Sequence, residues 1–498
     1  MNRQVLLKLA KSDQTKLVSI LVLAFYITFI PHFDYAYALH IDEWVHIAYS
    51  NALLNTGTIF HSNPFTGQGS AGVVGLLELG YHLPFAIFHD LSGISWMDIS
   101  RFAPSISFII TVLSVYIFAK RMGFGWEAAL FTCLLPTTVG IMGPAFMVPV
   151  AMALTFSVII LYLVFYFRTI WSYIVICVLL SFLVILHPTS AILAIMLLIP
   201  FLILGLKSEF KHSLFTTLAI TIPFLLTLPW TYGLIVSEAG SLFTQKSLPA
   251  YHDILSILTG YGYLPIILCL IGAFILTVGG YWKNYALVCG LLIMAAMLTI
   301  FYRFGYGLSE IYLRGLLFAM LIMGIVAGAG LMTLRKFELP WFADMKLKNI
   351  PVLNSIGVLL CMATIGVIFS IAIPDRLAEP YYHMIDKADY EAFIWIRDNV
   401  DSSHQMAILD PWKATAFTAI TEKYVSTRTH TAPTNKDREA YAFIRSGSTD
   451  TIFLRKNEIS IIYTRVGPGS QAIEYASDNP DLIEVRKDIY LLKETQTP

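Results

Sequence analysis

His40-Ile41-Asp42-Glu43-Trp44-Val45-His46 opens the first long polar connection of the chain, a few residues beyond its first apolar run. Two adjacent carboxylates and two histidines stand where a helix leaves an apolar environment. The run before them, about Lys16–Pro31, follows Arg3, Lys8, Lys11 and Lys16. That charge bias predicts a cytoplasmic N-terminus and an outward-facing Asp42 loop. No small-residue cleavage site follows the run, so it reads as a retained helix rather than a signal peptide. The whole chain agrees: its 498 residues are 57% hydrophobic and 13% charged, against about 25% charged in soluble proteins. Apolar runs recur from Leu17 to Ile373, which predicts a polytopic α-helical membrane protein. A net charge of zero gives no reason to expect a nucleic-acid partner. The five cysteines fall in apolar runs without metal-ligand spacing and read as packing residues.

Counting spans turns on Leu76–Leu91, which carries Glu78, His82, Pro84, His89 and Asp90. From Glu78 to His89 a helix rises only about 16 Å, roughly half of a ~30 Å hydrocarbon core. It therefore reads as an interfacial helix within the first outer loop. With that choice, Lys120-Arg121, Arg168, Lys207, Lys283 and Arg335-Lys336 all fall on the cytoplasmic side. Counting the segment as a span inverts the clusters after it. The expectation is about eleven spans, the third over about Glu127–Met142, with the N-terminus inside and the C-terminus outside.

Three outer regions follow: the loop Asp34–Arg101, the loop Ser237–Gly262, and the tail from about Pro374 to Pro498. The organisation expected is a transmembrane domain over 1–373, which includes the 34–101 loop, and an extracytoplasmic domain over 374–498. The tail alternates helix-like stretches (Asp389–Asn399, Pro411–Thr421, Lys436–Arg445) with strand-like runs (Gln405–Leu409, Ile459–Tyr463, Leu482–Val485, Ile489–Leu492). That pattern predicts a small α/β domain.

Within the first loop, Asp42–Gly57 reads as a short amphipathic helix lying in the membrane surface. Val45, Ala48, Tyr49, Ala52 and Leu53 keep helical spacing, and Gly57 stops it. Asp42 and Glu43 then occupy the first turn, where carboxylates suit the helix dipole. His46 lies one turn after Asp42 on the same face. An acidic first turn can simply cap a helix. At a membrane boundary crowded with Tyr35, Tyr37, His40, Tyr49, His61, Tyr81 and His82, a carboxylate can also serve as a general base toward an arriving hydroxyl.

A hydrophobic first helix, an outer loop opening with Asp-Glu, and a second surface helix carrying Tyr81-His82-Leu83-Pro84 together resemble the GT-C superfamily of membrane glycosyltransferases. Protein O-mannosyltransferases, aminoarabinose transferases and oligosaccharyltransferase catalytic subunits share this plan. The resemblance implies transfer of a sugar from a polyprenyl-phosphate donor to a glycan, lipid or protein acceptor on the extracytoplasmic face. It also implies that Asp42, with Glu43 beside it, acts as catalytic base or arranges the site. Two features depart from the oligosaccharyltransferases. The second outer loop, Ile141–Pro149, has no acid, and the tail has no Trp-Trp-Asp. No residue is assigned as a metal ligand on this basis; room for a divalent cation is left open.

A lipid phosphate needs cations near low dielectric. Arg303 and Arg314 flank the outer junction in Tyr302-Arg303-Phe304-Gly305-Tyr306-Gly307-Leu308-Ser309-Glu310-Ile311-Tyr312-Leu313-Arg314. Arg314 falls about one turn inside its helix, where a cation is costly unless paired. A Glu310–Arg314 pair at i, i+4 is the structural alternative. His187, before Pro188, and Glu78 with His82 complete the substrate-binding candidates, alongside His46. Gly67-Gln68-Gly69-Ser70-Ala71-Gly72 matches a dinucleotide fingerprint only in letters, since no strand precedes it. The rival readings are a transporter or flippase for lipid-linked sugars, which predicts mid-membrane charges and half-repeats, and an inactive scaffold of the same plan. Charges here gather at helix ends.

Overall fold

A computed structural model describes residues 12–69, 78–136, 143–239, 261–307, 309–337, 356–378, 383–429, 433–467, 475 and 478–493. The chain is a polytopic α-helical membrane protein that resolves into two compact units. One comprises Met1–Phe33 and Phe102–Glu379; the other comprises Asp34–Arg101 and Pro380–Pro498.

The first unit carries the apolar helices: α1 (Asp13–Phe29), α4 (Trp96–Lys120), α5 (Gly125–Cys133), α6 (Pro149–Tyr166), α7 (Ile170–Leu186), α8 (Pro188–Ser208), α9 (Phe210–Ala239), α10 (Tyr263–Val278), α11 (Trp282–Phe304), α12 (Ser309–Arg335) and α13 (Ile356–Ala378). Between α1 and α4 the chain forms α2 (Ile41–Thr56) and α3 (Leu79–Ser92), described with the second unit. Among the described residues, eight helices are long and apolar enough to cross a membrane, α7 and α10 being shorter apolar ones. Pro149 and Pro188 stand at the first positions of α6 and α8, where the missing N–H costs no hydrogen bond.

The third expected span differs from its prediction. The helix α5 holds nine residues and ends at Cys133, a rise of about 13 Å. Pro136 follows shortly, and residues 137–142 lie outside the described residues.

The helix α12 is the core of this unit, 94% of its membrane-length window being buried. Apolar surface gives little drive to associate in lipid, so small residues let backbones approach. A Cβ on Gly330 would meet the Leu268 carbonyl at 2.0 Å, and one on Gly272 the Val326 carbonyl at 2.0 Å, which locks α12 against α10. A Cβ on Gly328 would meet Ala128 on α5 at 2.5 Å. Hydroxyl pairs join other helices: Thr28 donates to Ser105 at 3.0 Å, and Thr111 and Thr155 lie 2.6 Å apart. The cysteines are free thiols, and Cys133, Cys269 and Cys361 are buried in packing.

The second unit joins the segment Asp34–Arg101 to the tail. Its elements are α2, α3, α14 (Lys387–Asn399), β1 (Met406–Ile408), α15 (Ala414–Thr421), β2 (Tyr424–Val425), α16 (Asn435–Arg445), α17 (Thr451–Lys456), β3 (Ile461–Tyr463), β4 (Leu482–Arg486) and β5 (Ile489–Leu492). The sheet order is β2-β1-β3-β5-β4. The strands β1, β2 and β3 run parallel, while β3–β5 and β5–β4 are antiparallel. Ile408, Phe443, Ile444, Leu454, Ile462 and Tyr490 form its apolar core. The strand β2 and helix α17 were not expected from sequence; two and six residues are too short to set a hydrophobic period.

A buried ionic cluster braces the tail. The Lys413 ammonium bonds both Asp389 oxygens at 2.8 Å, Tyr463 donates to Asp389 at 2.7 Å, and Arg465 reaches Asp389 at 3.2 Å and Asp386 at 2.7 Å. The Tyr463 hydroxyl is pushed far up by burial and by the Asp389 charge.

Loop and tail are bound to each other within this unit. Tyr35 donates to the Ile385 carbonyl at 2.8 Å and stacks on His383 at 3.9 Å. The Val425 N–H donates to the Phe65 carbonyl at 2.8 Å. Gly67 turns with φ +66 against the Tyr424 ring, where any Cβ would clash at 2.5 Å. This is the visible role of the glycine-rich letters; Ser70, Ala71 and Gly72 lie outside the described residues.

The helix α3 is fourteen residues long, shorter than a span. Leu83, Ile87, Phe88 and Leu91 are exposed along one side of it. The helix α2 departs from the simple amphipathic expectation. Its apolar positions Val45, Ala48, Tyr49 and Leu53 are buried, and so are Glu43, His46 and Ser50 on the polar side. It packs against α3 and α15. Asn51 donates to the Ala419 carbonyl at 2.9 Å and accepts from Trp96 at 2.7 Å. A helix covered on several sides by protein is not one lying free on a lipid surface.

Candidate functional site

The start of α2 is defined by its capping residues. His40 is the N-cap, with extended backbone, and its Nδ1 accepts from the Asp42 N–H at 3.2 Å. Glu43 closes the reciprocal half of this capping box. Its carboxylate accepts the His40 N–H at 3.1 Å and also the Leu39 N–H, and the side chain is fully buried. Gly57 ends the helix with φ +64, as its sequence position predicts.

The two adjacent acids therefore differ in environment. Glu43 points back into the turn and satisfies backbone donors. Asp42 is partly open, its side chain 17% exposed, with Oδ2 3.8 Å from His40 Nδ1.

One turn further along, His46 meets residues of α3. His46 Nδ1 lies 2.9 Å from His82 Nε2 and 3.8 Å from Glu78 Oε2. Tyr81 packs edge-on to the His46 ring at 4.9 Å, and Tyr49 stacks over His82 at 5.3 Å and 20°. Burial raises the hydroxyl pKa of both tyrosines. His46, Glu78 and His82 each offer one donor atom within 4.8 Å of the others. Two imidazoles and a carboxylate at this spacing form a candidate divalent-cation site. The sequence suggests that Glu78 and His82 converge on Asp42; the contacts they make are with His46, one turn further along α2.

Arg428, from the tail, was missed by sequence reasoning. Its guanidinium lies 3.8 Å from the Phe65 ring centroid. Burial lowers its pKa from the ordinary arginine value, against the opposing influence of the neighbouring Tyr49 and the Asp42 charge. It thus brings a desolvated positive charge toward the Asp42 end of α2. No sequence signal points to it, since 386 positions' worth of chain separates the two residues and only tertiary packing joins them.

In the spanning unit, Arg314 Nε donates to His187 Nε2 at 2.9 Å. His187 Nδ1 lies 2.6 Å from Ser190 Oγ and accepts the Ser190 N–H at 3.2 Å. His187 is also the N-cap of α8. These two candidates, 127 residues apart, are thus brought together. Arg303 is exposed in the last turn of α11. Glu310 lies on the backbone of α12, but its side chain is outside the described residues, as is most of the loop Ser237–Gly262.

No family model and no curated protein sequence matches this chain. Solved structures do match. The Archaeoglobus fulgidus oligosaccharyltransferase, in the apo form, aligns with a TM-score of 0.63 at 11% identity over 90% of this chain and 69% of that one. The chain shares its fold, a GT-C-like architecture, with this membrane protein. ArnT from Cupriavidus metallidurans aligns at 0.55 and 12% identity, over 91% of this chain and 94% of that one. The mycobacterial arabinofuranosyltransferase AftD aligns at 0.60 and 14% identity over 96% of this chain, which spans 40% of that larger protein. The archaeal enzyme is also known in complex with an inhibitory peptide and a dolichol-phosphate, an alignment of 0.60 at 12% identity over 90% of this chain and 69% of that one.

Proposed function

We propose that this chain is a GT-C-type glycosyltransferase that moves a sugar from a polyprenyl-phosphate carrier to a glycan, lipid or protein acceptor on the extracytoplasmic face of a membrane. The observation that carries the reading is the contrast between two neighbouring acids on a helix in the GT-C plan. Glu43 is consumed by backbone donors, and Asp42 beside it remains partly open.

In this reading Asp42 takes the proton of the acceptor nucleophile as general base. The nucleophile forms a bond to the anomeric carbon as the bond from that carbon to the phosphate oxygen breaks. The electron pair leaves with the polyprenyl phosphate, and the anomeric centre inverts. Arg314, oriented by His187, holds the phosphate in the spanning unit, with Arg303 and Glu310 as further candidates at the same junction. Arg428 supplies positive charge near Asp42. His46, Glu78 and His82, gathered one turn further along α2, are the further substrate-binding candidates. The membrane is the source of the donor, and the N-terminus is cytoplasmic.

The discriminating experiment uses the full chain in liposomes with a radiolabelled polyprenyl-phosphate sugar and a membrane extract as acceptor source. Transfer of label to a new product, with release of polyprenyl phosphate, supports the reading. Movement of intact donor across the bilayer without a new product points to a flippase instead.

A further inference from the structure

His46 stands on α2 and His82 on α3, and Glu78 precedes His82 by four residues at the start of α3. Residues at i, i+4 share a helix face, so Glu78 and His82 present donors together to the one helix that carries His46. Bonds of about 2.0–2.2 Å at tetrahedral angles put ligand atoms roughly 3.3–3.6 Å apart. The separations here, 2.9 Å between the imidazole nitrogens and 3.8 Å between His46 Nδ1 and Glu78 Oε2, bracket that range. A shift of about half an ångström in each of these two brings them into range, and the Glu78 and His82 donor atoms, within 4.8 Å of each other, need to close by no more than about 1.5 Å.

The ligands are also held in place beforehand. Tyr49 covers one face of His82, Tyr81 borders His46, and both histidines are buried. The Ser50 hydroxyl fixes the His82 carbonyl at 3.3 Å. Two neutral imidazole nitrogens and one carboxylate oxygen suit zinc and its neighbours, whereas magnesium and calcium prefer all-oxygen shells.

We propose that His46, Glu78 and His82 bind one transition-metal dication of the zinc class, with a fourth coordination position open to water or a ligand. The ion clamps α2 to α3 and so fixes the helix that carries Asp42. The site stands on its own donors and does not depend on the glycosyl-transfer reading.

The test uses the full chain in detergent, stripped with a chelator and dialysed against zinc. Wild type binds one zinc per chain, a large excess of magnesium does not displace it, and cobalt in its place gives the visible bands of a low-coordinate site. His46→Gln and Glu78→Gln each lower zinc affinity at least about 100-fold, more than outer-shell changes do. His89→Gln, a histidine outside the cluster, binds as wild type. Melting temperature in chelator separates binding from folding: His46→Gln and Glu78→Gln melt as stripped wild type does and lose the rise that zinc gives. His82→Gln, at the most buried position, is read the same way if it folds. Stripped wild type that takes up no zinc, zinc affinity unchanged in both variants, or displacement by magnesium would each overturn the proposal.

Discussion

Replacing Glu43 tests whether the two neighbouring acids really differ in role. The buried Glu43 carboxylate accepts two backbone N–H groups, from Leu39 and His40, at the first turn of α2. Hydrogen bonds to a charged group contribute about 1.5–3 kcal/mol each, and a buried donor left unmade costs a similar amount. Glu43→Ala removes the one oxygen that accepts both N–H groups and should destabilise the loop–tail unit by about 3–6 kcal/mol. For a unit of 150–250 residues each kcal/mol shifts the melting temperature by about 2–4 °C, so a fall of roughly 6 °C or more is expected. Glu43→Gln keeps an oxygen where the carboxylate accepts both donors and loses only the charge. It should cost about 1–2 kcal/mol, including a few tenths from the helix dipole. Melting of the detergent-solubilised chain, followed by tryptophan fluorescence, gives the stability series, and residual transfer is measured well below each melting point. Activity should persist in Glu43→Gln. A Glu43→Gln chain that melts like wild type yet transfers nothing would refute the division of labour and make Glu43 a reacting group.

Arg314→Gln should weaken donor binding by roughly 10-fold or more, the loss of a charge-assisted contact; unchanged donor affinity with a lowered melting temperature would leave Arg314 as a bridge between α8 and α12. Lys413→Met strips the principal cation from fully buried Asp389 and should destabilise the tail by about 3 kcal/mol, read as faster proteolysis of the tail; wild-type resistance would mean that Arg465 alone suffices. Asp90→Cys, at an exposed position on the short helix α3, should react with a membrane-impermeant thiol reagent in intact cells; labelling only after permeabilisation would invert the proposed orientation.

Much of the spanning unit is legible in the sequence because its signal is one-dimensional. Apolar length, Pro149 and Pro188 at helix starts, and Gly305 at the end of α11 mark most boundaries within a few residues. The third span is the exception: an apolar run continues past Cys133, but the helix does not. Hydropathy counts residues and does not register a chain that leaves helical geometry before Pro136.

The site is legible only in part. Asp42, Glu43 and Gly57 announce a helix from local chemistry, although the cap itself is His40. The burial of its polar side was hidden, because Glu43, His46 and Ser50 look like a solvated face until their partners are known. Those partners are backbone donors at Leu39 and His40, and the residues of α3. His46 and His82 stand 36 positions apart, far from any short metal-ligand motif. Arg428 and the packing of α15 on α2 belong to the same class of long-range contact. The tail reads as a separate domain by composition, and its packing with the loop residues 34–101 is invisible to any local pattern.

The central claim, that Asp42 is the base for glycosyl transfer, is tested most directly by Asp42→Asn. The exchange keeps size and most hydrogen bonding and removes the charge. Capping is supplied by His40 and Glu43, so stability should fall by no more than about 0.3–1 kcal/mol, the helix-dipole contribution. A positioned general base contributes roughly 10²–10⁴-fold in rate. With a polyprenyl-phosphate sugar and a membrane extract as acceptor source, Asp42→Asn should melt within a few degrees of wild type and transfer at least about 100-fold more slowly. Transfer at the wild-type rate would contradict the account and leave Asp42 as a first-turn carboxylate on a helix that serves some other function.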